Sequence, residues 1–140
     1  MIRLGTVEGV RTVAPRVAVF AVRKDSLVGW TCSPEMADRA QLRAARFTPG
    51  PETALDGVLA SEGATFVRIP KDALHAPLLA GLSRAPTGDV ALAPIRVESR
   101  PVALVMADGY GDELATARRL EEVAQAASEA LARLLRERRK

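Results

Sequence analysis

The chain has 140 residues, 48% of them hydrophobic and 26% charged, with a formal net charge of +3; this length fits one domain, residues 1–140, and the composition is that of a folded globular protein. The excess charge is confined to the last five residues, RERRK, which hold four basic groups and one acidic and leave 16 of each sign elsewhere, so the isoelectric point of 9.6 does not mark the basic stripe that a nucleic-acid surface requires. Aromatic content of 4% is too low for base stacking, and no apolar run reaches the roughly 20 residues that span a bilayer, so neither nucleic acid nor membrane is an expected partner.

Leu4, Val7, Val10, Val13 and Ala14 recur at helical spacing, weakened by Gly5 and Gly9 and stopped by Pro15, and predict a short first helix. Arg16 to Val22 (RVAVFAV) reads as a buried strand, Lys24-Asp25-Ser26 as a turn, and Leu27 to Cys32 as its hairpin partner. Ser33 to Gln41 is a short polar helix or loop opened by Pro34. Leu42 to Phe47 either continues that helix or forms a strand ending at Thr48-Pro49-Gly50-Pro51. Glu52 to Glu62 is predicted as an amphipathic helix, with Leu55, Val58 and Leu59 on one face and Gly63 as its left-handed cap. Thr65 to Ile69 is a short strand ended by Pro70. Lys71 to Arg84 holds Leu74, Leu78, Leu79 and Leu82 and should form two helical pieces split by Pro77.

The strongest patterns come last. Val90 to Val97 reads VALAPIRV and Pro101 to Ala107 reads PVALVMA, joined by Glu98-Ser99-Arg100. Strands apolar at successive positions are buried on both faces, so a layer must cover each side of the sheet. Arg96 is the polar exception. Asp108 to Gly111 breaks the strand, and a helix of about residues 112–139 follows. Its apolar positions Leu114, Ala117, Leu120, Ala124, Ala127, Leu131 and Leu134 are separated by 3, 3, 4, 3, 4 and 3 residues, an a/d-like seam. At 1.5 Å per residue the helix is about 40 Å long, more than one small sheet covers. A homodimer is therefore expected, with Leu120, Ala124, Ala127, Leu131 and Leu134 at its interface.

With DVALAPIRVESRPVALVMADG the chain resembles the GAF domain family. The likeness lies in the proline before the last apolar residues of a strand (Ala93-Pro94-Ile95), the tight turn Glu98-Ser99-Arg100, the strand Val102 to Met106 and the long Ala/Leu-rich helix from Glu113. It looks most like the GAF-like domains of multidomain bacterial signalling proteins. The resemblance implies an α+β fold: an antiparallel sheet of five or six strands, terminal helices on one face, and a helical and loop segment roofing the other over a possible small-molecule pocket. Pro94 cannot donate to a ladder, so it belongs at an edge or bulge. Three known subclasses do not fit. The Asn-Lys-Phe-Asp-Glu signature of cyclic-nucleotide-binding members is replaced by Asp108-Gly109, Leu114 and Arg118-Arg119. Bilin-binding members use a cysteine close to a histidine, whereas Cys32 and His75 are far apart; members that reduce free methionine sulfoxide need at least two cysteines, and this chain has one.

Chemistry-bearing residues are few. Cys32, beside Trp30 in a strand, reads as a buried small hydrophobe, and the lone cysteine together with the absence of a signal-peptide core in MIRLGTVEGVR suggests the cytoplasm. His75 has no neighbouring cysteine, histidine or carboxylate cluster and is expected at the surface or as a cap, so no metal or cofactor is expected. Trp30, Phe47, Phe66 and His75 are the candidates for lining a ligand pocket. The function expected is a non-enzymatic sensory or regulatory domain acting through dimerisation. The alternatives are a profilin-like module of the roadblock type and a small redox enzyme using Cys32.

Overall fold

The computed structural model describes residues 2–138. The side chain of Leu4 and the last two basic residues of the tail lie outside what is described. In chain order the elements are α1 (Ile2–Arg11), β1 (Arg16–Arg23), β2 (Ser26–Cys32), α2 (Arg39–Arg43), β3 (Arg46–Phe47), β4 (Thr65–Val67), α3 (Ala76–Leu79), β5 (Val90–Val97), β6 (Arg100–Asp108) and α4 (Glu113–Arg138). The strands make one six-stranded antiparallel sheet in the order β3-β2-β1-β6-β5-β4. The two apolar hairpins, β1-β2 and β5-β6, thus meet along β1 and β6 at its centre. Glu98 and Ser99 both take left-handed backbone angles (φ 54° and 69°), the conformation that matches a two-residue turn to strand twist.

Each central strand divides its side chains by size. Val17 and Val19 of β1, Ala91, Ala93 and Ile95 of β5, and Ala103, Val105 and Ala107 of β6 face Val7 and Val10 of α1 and Leu120, Ala124 and Ala127 of α4. The alternate positions, Phe20, Leu92, Leu104 and Met106, face the middle segment, where Met36, Leu42, Leu55, Leu78 and Leu82 meet them. Small residues let the helices approach, and large ones fill the space under the roof. Each large side chain so buried contributes about 1.5–3 kcal/mol.

The middle segment departs most from expectation. Glu52 to Glu62 is a chain of turns with one 3-10 turn, Val58–Ala60, and not an α-helix. Gly57 holds φ 78°, a left-handed residue inside the span that breaks an α-helix at that point. Lys71 to Arg84 forms one short helix, α3, with Pro77 in its first turn instead of between two pieces. The ambiguous stretch Leu42 to Phe47 does both: it ends α2 and supplies β3. Pro94 lies beyond Leu92, the last β5 position paired with β4, next to the bulge at Ile95/Arg96.

Asp112 caps α4, its Oδ1 accepting from the Leu114 and Ala115 N–H groups at 2.9 and 3.3 Å. The interface expected along this helix needs correction. Leu120, Ala124 and Ala127 are consumed by the chain's own sheet, and Leu131 is half-buried against the same cluster. Only from Arg133 onward is every described residue exposed, Leu134 at 47% and Leu135 at 37%.

Gly29 fixes how closely the roof sits on β2. A Cβ at this position would fall 1.8 Å from the Leu42 carbonyl oxygen, and the Gly29 N–H donates to the Ala45 oxygen at 3.2 Å. Gly29→Ala should therefore push α2 off β2 and destabilise by about 2–4 kcal/mol, read as a lowered midpoint in urea unfolding. An unchanged midpoint would mean that α2 moves away at no cost.

Candidate functional site

The four residues expected to line one pocket do not converge. Trp30 and Phe66 pack with the helix-side cluster, and Phe66 meets Tyr110 edge-on at 5.5 Å. Phe47 belongs to the opposite, roof-side core, where its ring stacks on His75 with centroids 5.6 Å apart. The sheet lies between the two pairs.

His75 takes the N-cap position of α3 and is not at the surface; it is 2% exposed and ties three roof segments together. The Ala54 N–H donates to Nε2 at 3.0 Å, so Nε2 is the acceptor and the proton sits on Nδ1, which donates to Asp72 Oδ1 at 2.7 Å. The His75 N–H donates to the same oxygen at 3.0 Å. These bonds, first from the His75 ring and then from its backbone, hold the Asp72 carboxyl below its ordinary range. The sequence signal for this arrangement was Asp72 three residues before His75, on the turn into α3.

Two further buried polar groups are structural. Arg16, 3% exposed, ion-pairs with Asp108 directly across from it on β6, and its Nη2 donates to the Arg84 oxygen at 2.8 Å. The pair thus straps the end of the roof to the sheet. Burial pulls the Arg16 guanidinium below its ordinary value while Asp108 opposes that shift. Cys32 is buried, its Sγ donates to the Ala37 oxygen at 3.2 Å, and burial pushes its thiol upward, away from a nucleophilic thiolate. Among the described residues, no three His, Cys, Asp or Glu side chains are grouped to hold a metal ion.

A wide concavity lies at the edge of the roof. An open groove of about 980 Å³ runs between the two hairpin tips and the segment 55–62, with Val22, Leu55, Leu59 and Pro101 among its apolar walls. Its half-buried charge is Arg96, whose Nη2 donates to the Leu59 oxygen at 2.6 Å while its backbone N–H donates to Ser128 Oγ of α4 at 3.2 Å. The sequence marks Arg96 as the polar exception of its strand without assigning it a role. Its signal was a single arginine in an otherwise apolar strand.

No protein-family model matches the sequence, and no curated protein matches it. Among solved structures, the photoproduct state of GAF3 from Slr1393 of Synechocystis sp. PCC6803 superposes with a TM-score of 0.69 at 18% identity, covering 99% of this chain and 96% of that one. The GAF domain/HD domain protein from Geobacter sulfurreducens gives 0.68 at 11% identity, covering 96% and 92%. The fold is that of a GAF domain. A methyl-accepting chemotaxis protein, residues 122 to 287, superposes at 0.69 with 12% identity, covering 95% of this chain and 90% of that one. Near-complete mutual coverage favours the GAF fold over the roadblock-type alternative.

In this GAF fold the Asp72–His75 pair should give the roof a pH-dependent component of stability. A carboxyl whose folded value is depressed stabilises above its unfolded value and loses that contribution as pH falls through the folded one. Asp72→Ala should lower the melting temperature at pH 7, and the gap to the unsubstituted protein should narrow below about pH 4, near the ordinary aspartate value. A gap that is the same at both pH values would place the effect outside this ionisation.

Proposed function

We propose that the protein is a non-enzymatic sensory or regulatory domain whose output is carried by α4 in a homodimer. The observation carrying this reading is the division of α4 into two lengths. Thr116, Leu120, Ala124 and Ala127 are buried, whereas from Arg133 to Arg138 the described residues are all exposed and include Leu134 and Leu135. Two adjacent leucines in water are unfavourable, and burying each is worth roughly 1.5–3 kcal/mol. Contact with the same turns of a second copy would cover them. The seam is shorter than the spacing suggested: Leu131 at its inner end, then Leu134 and Leu135.

The structural neighbours support a sensory role, since they include a chemotaxis protein and the photoproduct state of a GAF domain. Burial of Cys32, the structural use of His75 and the filled roof-side core favour a relay over a catalyst. A cytoplasmic setting belongs to the same reading, with one buried free thiol; no helix among the described residues is long and apolar enough to cross a membrane.

Light scattering behind a sizing column should give twice the monomer mass of 14.9 kDa, falling to the monomer on dilution. The double substitution Leu134→Glu and Leu135→Glu should yield a folded monomer, because both positions lie beyond the sheet. An unsubstituted protein that remains monomeric at high concentration would overturn the dimer and with it the proposed output.

A further inference from the structure

Arg96 is a half-buried cation without an acid. Among the described residues no carboxylate pairs with it, and one of the two Nη2 N–H groups donates to the Leu59 carbonyl, the other remaining for a fork. Nε and Nη1 are not among the buried atoms left without a partner, and Arg96 lines the groove. A guanidinium taken partly out of water without a counter-charge is costly, and its planar fork suits a carboxylate held by two parallel N–H bonds. The Leu59 carbonyl fixes the orientation of that fork.

The rest of the groove narrows the chemistry. Lys24 and Arg100 stand at the two hairpin tips, opposed by Asp25, Asp56 and Glu62, and all five are exposed. Three cations against three carboxylates leave the groove near neutral, so it lacks the excess positive charge that would favour a multiply charged phosphate over a single carboxylate. Val22, Leu59 and Pro101, each half-buried, offer an apolar surface to a carbon chain, and the volume suits a small molecule.

We propose that the hairpin-tip groove binds a small organic carboxylate with an apolar body, its carboxylate on the Arg96 fork. Occupancy is passed to α4 by the bond from the Arg96 N–H to Ser128 Oγ. The path is short because β4 pairs with β5 only as far as Leu92, which leaves the outer edge of β5 open to α4 at Arg96. The regulatory meaning rests on the sensory reading above; binding itself does not.

Hexanoate is the probe, with hexan-1-ol and inorganic phosphate as controls, followed by amide chemical shifts of the full chain. Hexanoate should shift the amides around Leu59, Arg96 and Ser128 and saturate, at least tenfold more tightly than either control. Arg96→Gln should weaken it at least tenfold. Ser128→Ala should keep affinity within about threefold while reducing the shifts along residues 127–131. No hexanoate binding, equal binding of hexan-1-ol or phosphate, or an Arg96→Gln protein that binds normally would overturn the site. Ser128→Ala with undiminished shifts along α4 would overturn the relay. If Arg96→Gln does not fold, the two controls on the unsubstituted protein still decide. Lost binding in an intact dimer removes the site alone, whereas a monomer that binds hexanoate removes the proposed output alone.

Discussion

Burial of β1, β6 and β5 on both faces is the constraint from which the other layers follow. A strand covered on two sides needs all its backbone groups paired along the ladder, and β1 and β6 at the sheet centre have partners on both edges. The two faces then impose different sizes. Valine and alanine towards the helices bring α1 and α4 close to the sheet; Phe20, Leu92, Leu104 and Met106 towards the roof occupy the volume between sheet and middle segment. With that volume taken, the groove at the hairpin tips lies outside the roof-side core.

The roof is held by specific ties more than by regular structure. His75 joins Ala54, Asp72 and Phe47, and Arg16 reaches the Arg84 carbonyl from the sheet. These are costly groups to bury singly, and each has found partners, save the Nε of Arg16. On the other side α4 grips more than its own face of the sheet. Glu121 Oε2 accepts from the Ala64 N–H at 2.9 Å and Ser128 Oγ from Arg96. The helix proposed as the output is therefore bonded both to the exit of the roof and to the wall of the groove.

Local pattern revealed the outer architecture and missed the interior of the roof. The hairpins were legible because apolar runs and polar turns are local signals, and α4 because its period extends over 26 residues. Glu52 to Glu62 misled because Leu55, Val58 and Leu59 have helical spacing, while the left-handed Gly57 and the contacts made by Leu55 and Val58 in the core decide otherwise. Trp30 and Phe47 were grouped by chemistry, but which face of a sheet a side chain takes depends on register and on the neighbouring layer. Leu120, Ala124 and Ala127 show the same limit: an a/d-like seam records an apolar stripe without saying whether a sheet or a second helix covers it.

A filled roof-side core is the central claim, and unfolding of Leu104→Ala in urea tests it most directly. Leu104 is fully buried in the roof-side cluster. Removing its side chain from a close-packed layer should cost about 2–5 kcal/mol, with one cooperative transition. A loss under about 1 kcal/mol would contradict the account, since truncation costs that little only where the surroundings were already loosely packed.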